Sequence, residues 1–310
     1  MLDLKAIRQN PDQFKKDLSR KGVQSSKIDE LLAADIQKRE LLQQTESLKA
    51  QQNEVSKQIP NLDGEEKVKV LEEMKTISEA RKALESDLNT ADETVIQILE
   101  SLPNPPFPEV IDGKSDEENA VLRLEGEKPV FDFKPKEHWE LAEQHDLLDT
   151  EQSAVVSGSR FFYMKNELAI LQKALMLWAF HKINSKGYCP TIPPFMTRER
   201  AIHGTGYLDR DENYIVNPGK DDLYLIGTSE VPMVSYMADK IIEEDDLPMR
   251  FGAYSPCFRR EAGTYGKDTK GIMRVHQFEK IEMVVFCKKE DEREMHQQLL
   301  DVEEEILKDL

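Results

Sequence analysis

Between residues 27 and 99 apolar side chains recur at alternating steps of four and three, and no other feature restricts the fold of this chain as sharply. In the second half of that stretch Val70, Met74, Ile77, Leu84, Leu88, Ala91, Val95 and Ile98 fall on one line of a helix, interrupted only by Arg81. The first half carries a weaker line at Leu31, Ala34, Leu41, Leu48, Val55 and Ile59, diluted by Lys38, Thr45 and Gln52 at the same spacing. Between the halves, Ile59-Pro60-Asn61-Leu62-Asp63-Gly64 supplies a helix breaker and a turn. Two helices of similar length joined so briefly fold back on each other, which predicts an antiparallel hairpin. Each would reach about 50 Å at ~1.5 Å per residue. Its outer faces are Lys, Glu, Gln and Ser, so the arm is expected to project into solvent. A spacer or dimerising coiled coil and a lever that reaches a distant part of a large ligand both fit this pattern.

Pro103-Asn104-Pro105-Pro106-Phe107-Pro108 ends the arm, because successive prolines forbid a continued helix and favour extended chain. We therefore expect an N-terminal domain over residues 1–104, a linker over 105–130 and a second domain over 131–310. Residues 168–186 read as a strongly apolar helix stopped near Gly187, followed by Tyr188-Cys189-Pro190-Thr191-Ile192-Pro193-Pro194. A prolyl segment of that kind suits an edge strand at a subunit contact. The later runs 223–226, 251–254 and 281–286 are short, apolar and β-rich, which predicts a largely antiparallel sheet. The fold class is thus α+β: a helical hairpin followed by a sheet flanked by helices.

Acidic residues outnumber basic ones by 60 to 42, a net charge of −18, so nucleic acid would have to be met by local basic groups. Cys189, Cys257 and Cys287 are too scattered for a disulfide framework or a zinc site. The first residues lack a signal-peptide core and no segment reaches ~18 consecutive apolar residues, so the reading is a cytoplasmic protein without a membrane span. Neither G-x-x-x-x-G-K-[ST] nor G-x-G-x-x-G opens a helix after a strand, so ATP would have to be bound without either loop.

The chemistry is concentrated between residues 255 and 282. Ser-Pro-Cys-Phe-Arg-Arg-Glu-Ala-Gly (255–263) and Arg-Val-His-Gln-Phe-Glu-Lys-Ile-Glu (274–282) flank the glycine-rich loop Thr-Tyr-Gly-Lys-Asp-Thr-Lys-Gly (264–271). This predicts a hairpin with a long mobile loop. Period two puts Phe278, Lys280 and Glu282 on one face of the second strand, and Ile281, Met283 and Val285 on the other, ready to bury against helices. The same period puts Arg259 and Glu261 together on the first strand. An arginine beside a phenylalanine suits a nucleotide, whose base stacks while guanidinium groups neutralise phosphate. A surface hairpin laced with salt bridges would look the same.

These strings resemble motif 2 of class II aminoacyl-tRNA synthetases in its seryl form. Gly227-Thr228-Ser229-Glu230-Val231-Pro232 resembles the T-x-E loop of that family, residues 187–193 with the preceding helix resemble the dimer-forming motif 1, and residues 1–104 resemble its tRNA-binding arm. The resemblance implies that the chain activates serine with ATP to seryl-adenylate and transfers it to the 3′ end of tRNA(Ser). It implies that Arg259 is catalytic, holding the α-phosphate. Arg260, Glu261, Arg274, Val275 and Phe278 would join Arg259 in binding ATP, with Phe278 stacked on the base. Thr228, Ser229, Glu230 and Glu282 would bind serine, Glu230 meeting its ammonium. Magnesium is implied on the ATP phosphates, with no metal ligand within this chain. The implied partners are tRNA(Ser), gripped by the arm and approached by the 264–271 loop with Lys267 and Lys270, and a second copy of the chain in a homodimer. The sequence ends before the segments that would match the family's acidic metal-binding stretch and motif 3, so an incomplete form is expected. An impaired, tRNA-binding relative is the alternative. His203 and His276 are expected to be structural.

Overall fold

The computed structural model describes every residue except Met1, 208–212, 217–219, 221 and 262–269; for Gln58, Asn61, Ile215 and Val216 it describes the backbone alone. The chain divides into two compact units, Met1–Lys128 and Pro129–Leu310.

The first unit opens with α1 (Leu4–Gln9), whose free N–H of Lys5 donates to the capping carboxylate of Asp3 at 2.8 Å. Pro11 starts α2 (Pro11–Ser19), where its missing N–H costs nothing. The predicted arm follows as α3 (Ser25–Gln58) and α4 (Gly64–Ser101), joined by a single 3₁₀ turn at Ile59–Asn61. Ile7, Leu18, Ile28 and Leu31 bury completely against Val95, Leu99 and Leu102, so the base of the hairpin is anchored in a small core. The polar residues that dilute the seam find partners on it. Arg81 donates to Gln52 at 2.7 Å, Lys38 pairs with Asp92, and the Thr45 hydroxyl donates to the Leu41 carbonyl at 2.8 Å. Asp35 is buried beneath Arg8, which grips it through both Nε (2.8 Å) and Nη2 (2.6 Å), with Arg39 adding a third bond at 3.1 Å.

The second unit runs α5 (His138–Gln144), β1 (Leu148–Asp149), α6 (Glu151–Ser157), β2 (Tyr163–Met164), α7 (Asn166–Ser185), β3 (Cys189–Thr191), β4 (Met196–Thr197), α8 (Glu199–Gly204), β5 (Tyr214–Val216), β6 (Leu223–Leu225), α9 (Glu230–Ser235), β7 (Met249–Phe258), β8 (Gln277–Phe286) and α10 (Glu292–Asp309). The two expected short strands at 251–254 and 281–286 are the cores of a ten-residue antiparallel pair, β7 and β8, in register from Met249↔Phe286 to Phe258↔Gln277. Strand β3 joins the other side of β7 in parallel, leaving Pro190 on an edge where its missing N–H breaks no ladder. Strands β4, β6 and β5 form a separate antiparallel sheet.

Alternation on β8 sorts its side chains as expected. Ile281, Met283 and Val285 pack with Ile183 and Phe180 of α7 and Val302, Leu299 and Ile306 of α10. Gly252 on β7 is what lets α7 approach. A Cβ there would lie 2.2 Å from the Cδ1 of Ile183. The even-numbered face of β8 therefore points away from α7 and α10, as a floor.

Candidate active site

Glu282 is the most heavily bonded residue on that floor. Its Oε2 accepts from the Thr228 hydroxyl (2.5 Å), the Ser229 hydroxyl (3.2 Å), the Glu230 backbone N–H (3.2 Å) and the Lys280 ammonium (2.8 Å). Burial by itself pushes this carboxyl up, but the bonds from Lys280 and Thr228, the Lys280 charge and the bond from Ser229 outweigh it, and its pKa lies below the usual value. Lys280 also donates to the Thr228 hydroxyl at 2.7 Å. Thr228 and Ser229 are fully buried. The loop 227–230 is thus pinned to β8 at the point where α9 begins, and the buried hydroxyls have no freedom to choose other partners.

Arg259 reaches the same loop from just past the end of β7. Its Nε donates to the Gly227 carbonyl at 3.1 Å, and its guanidinium lies 5.2 Å from the centre of the Phe278 ring. Its main chain is set by His276: the Arg259 N–H donates to the His276 carbonyl at 2.9 Å, and the His276 Nδ1 lies 2.9 Å from the Arg259 carbonyl. A carbonyl only accepts, so Nδ1 carries the proton. The His276 ring also packs against Phe161 at 5.2 Å, and the His276 backbone N–H donates to the Arg160 carbonyl at 3.1 Å. The structural reading of His276 gains a definite content here, because it fixes the backbone under Arg259 and beside the buried Val275.

The expected shared face of Arg259 and Glu261 does not form. Strand β7 ends at Phe258, and Glu261 adopts φ 50°, a left-handed turn that breaks the period-two alternation. Glu261 instead accepts from Arg274 Nε at 2.5 Å, pairing the two limbs of the hairpin, while Arg259 stacks over Phe278. Arg260 is exposed. The expected loop contacts of Lys267 fall outside the described residues. Lys270 is described and exposed; with Trp139, Arg160, Phe161 and Arg274 it lines a cavity of about 490 Å³. Next to it Gly271, at φ 74°, packs on His138, whose Nε2 accepts from the Ile272 N–H at 3.0 Å.

The structure adds groups that the sequence reading missed. The Tyr207 hydroxyl donates to Glu230 Oε2 at 2.9 Å, a pairing without any signal in local spacing. On the reverse face of β8, Glu279 accepts from Tyr254 (2.7 Å), Gln172 (2.7 Å) and Lys173 (2.5 Å), tying α7 to the strand that carries Phe278. Among the described residues no three His, Cys, Asp or Glu side chains are grouped to hold a metal, and no helix is long and apolar enough to cross a membrane.

Comparison with known proteins agrees with this geometry. Residues 1–106 match the seryl-tRNA synthetase N-terminal domain, and residues 213–310 match the tRNA synthetase class II core domain (G, H, P, S and T). A serine–tRNA ligase of Corynebacterium glutamicum is 38% identical over 310 residues, 99% of this chain and 72% of the relative. One from Roseiflexus castenholzii is 41% identical over 287 residues, 92% of this chain and 68% of the relative. The seryl-tRNA synthetase of Pyrococcus horikoshii, solved in complex with ATP, superposes with a TM-score of 0.88 at 34% identity, covering 100% of this chain and 75% of its own. The cytoplasmic serine–tRNA ligase of Naegleria fowleri, solved with AMP, superposes at 0.83 and 25% identity, covering 98% and 75%. With both of its units matched and its hairpin arm and pinned 227–230 loop in place, this chain belongs to the seryl-tRNA synthetase family.

Proposed function

We propose that the chain activates serine with ATP to give seryl-adenylate and pyrophosphate, and transfers the seryl group to the 3′ end of tRNA(Ser). The observation that carries this reading is the joint anchoring of the 227–230 loop. Glu282 and Lys280 hold it from β8 and Arg259 from just past the end of β7, so the loop that carries Glu230 and the Arg259 guanidinium are tied to one floor. Serine is an ammonium next to a carboxylate, and the attacked α-phosphate is an anion. Glu230 suits the ammonium. Arg259, with Nε occupied by Gly227, has its Nη groups to offer the α-phosphate as charge redistributes in the displacement.

Phe278 offers a stacking face for adenine, Val275 a backbone edge, and Glu261 with Arg260 and Arg274 the surrounding polar groups. Arg274, now paired with Glu261, is the cation placed to exchange that carboxylate for an outer phosphate. Thr228, Ser229 and Glu282 shape the serine pocket chiefly by fixing Glu230. Such a pocket rejects alanine because its own polar groups would be left without partners. Magnesium would enter on the ATP phosphates; among the described residues no three His, Cys, Asp or Glu side chains are grouped to hold a resident ion.

The family arm, residues 1–104, would grip the tRNA by shape and backbone, in the cytoplasm, while Lys270 and the loop before it meet the acceptor end. An exposed stripe on α7 (Ile170, Leu171 and Leu177, each more than half exposed) beside the β3 edge and Ile192 supports a homodimer. The test is serine-dependent ATP–pyrophosphate exchange with an Arg259→Ala control. Exchange that requires Arg259 supports the reading; tRNA binding with no exchange from serine or any other amino acid overturns it.

A further inference from the structure

Tyr207 stands outside every motif that identifies the site, yet its hydroxyl donates to Glu230 Oε2 at 2.9 Å. The backbone around it is fixed on both sides. Helix α8 closes with Gly206 at φ 76°; the Gly206 N–H donates to the His203 carbonyl at 2.9 Å and the Tyr207 N–H to the carbonyl of the buried Ile202 at 3.0 Å. These are the paired bonds that end a helix with a left-handed glycine. On the other side the Asn213 side-chain amide donates to the Tyr207 carbonyl. The phenol is therefore a strut projecting from a locked helix terminus, and a tyrosine ring has few rotamers to lose.

Glu230 is fixed at its backbone too, since its N–H donates to Glu282 Oε2 and to the Thr228 hydroxyl, both at 3.2 Å. Its carboxylate is the remaining freedom. A glutamate side chain has three rotatable bonds, and a carboxylate left to wander on a half-buried floor meets an incoming ammonium in the right place only part of the time.

We propose that Tyr207 is a positioning residue for amino-group recognition: by occupying Oε2 it holds the Glu230 carboxylate with Oε1 turned to the ammonium of the amino-acid substrate. This rests on the proposed role of Glu230. Because the hydroxyl acts only through that carboxylate, its effect belongs to substrates that carry an ammonium and vanishes for those that do not. A general structural role for Tyr207 would affect both alike.

The experiment uses two non-hydrolysable probes, N-serylsulfamoyl adenosine and its deaminated counterpart, bound by calorimetry to the full chain and to its Tyr207→Phe and Glu230→Gln variants. The wild-type chain is expected to prefer the aminated probe, and Glu230→Gln to abolish that preference. Tyr207→Phe, which keeps the ring, is expected to weaken the aminated probe about tenfold, the loss of one hydrogen bond to a charged group, and to leave the deaminated one unchanged. If Glu230→Gln removes the preference while Tyr207→Phe leaves it intact, Tyr207 is not the positioning group. Equal weakening of both probes by Tyr207→Phe, with or without a lowered melting temperature, likewise overturns the proposal. Absence of any preference in the wild-type chain, or its survival in Glu230→Gln, defeats the reading of Glu230 itself.

Discussion

Replacing Glu282 by Gln tests whether one oxygen atom holds the 227–230 loop. In the wild-type chain Oε2 serves four donors, of which Lys280 brings a charge. A glutamine carbonyl can accept from two of them well, but it is neutral. Replacing a charge-assisted bond by a neutral one costs about 1–1.5 kcal/mol, and leaving a buried hydroxyl or N–H without an acceptor adds about 1 kcal/mol or more. The Lys280 side chain keeps 30% of its exposure, so water relieves part of its lost pairing and its charge adds little further. The sum, about 2–3 kcal/mol, corresponds to a fall of about 30- to 150-fold in kcat/KM for serine. The KM for ATP should change far less, because Phe278 and the Arg259 stack are untouched. Serine- and ATP-dependence of pyrophosphate exchange measure the two separately. The acid behaviour follows from the same bonds. The Glu282 pKa lies below its ordinary value of 4.5, so its stabilising contribution is complete above that pH and is lost as pH falls through the lower, folded-state value. Melting temperature followed from neutral pH to below 4.5 should therefore fall more steeply for the wild-type chain than for Glu282→Gln over the acid end. A variant whose serine kcat/KM stays within about threefold of wild type would show that Oε2 does not hold the loop, and an equal loss for ATP and serine would point to a general disturbance instead.

Arg259→Lys keeps the positive charge but loses the Nε bond to Gly227 and the guanidinium contact over the Phe278 ring, so pyrophosphate exchange should drop by about 10²-fold or more at an unchanged melting temperature; near-normal exchange would mean that charge alone suffices. Gly252→Ala drives a Cβ into Ile183 and should destabilise the second unit by about 1–3 kcal/mol, with partial rescue by Ile183→Val; denaturant unfolding reads both, and a neutral Gly252→Ala would mean that α7 shifts freely. Leu177→Asp, on the exposed stripe of α7, should yield monomers in sedimentation if that stripe is the subunit contact, and a variant that sediments like the wild-type chain removes the stripe from the interface. Asp35→Ala frees Arg8 and Arg39 together; because Arg8 remains 38% exposed its charge recovers solvent, and we expect a loss of about 1–3 kcal/mol in the first unit by thermal unfolding, short of what a fully buried pair would cost.

The arm and the face of β8 were legible in the sequence because each is written as a period. The line through Val70, Ile77, Leu84 and Ala91 repeats often enough to outvote Arg81, and three alternating residues on a strand buried on one side leave a single register. Even the interruptions make sense once paired, since Arg81 and Gln52 occupy equivalent seam positions and bond to each other. Period fails where the chain turns. Glu261 lies only two residues from Arg259, yet φ 50° sends it to Arg274, because alternation holds only while the backbone stays extended and β7 ends at Phe258. It fails again where a side chain bonds across long sequence separation, as with Tyr207 and Glu230 or the three donors gathered by Glu279. The role of Glu282 shows why family resemblance and geometry are complementary. Resemblance groups Thr228, Ser229, Glu230 and Glu282 as residues that surround serine, with Glu230 on its ammonium, without saying how the other three act. The bonds separate them: Oε2 of Glu282 holds the loop, the hydroxyls of Thr228 and Ser229 donate to it, and Glu230 makes its side-chain bond to Tyr207 instead. A site of this kind obtains its selectivity from groups that never leave their partners, and substitutions at the holders should therefore change amino-acid recognition as strongly as substitutions at the residue they hold.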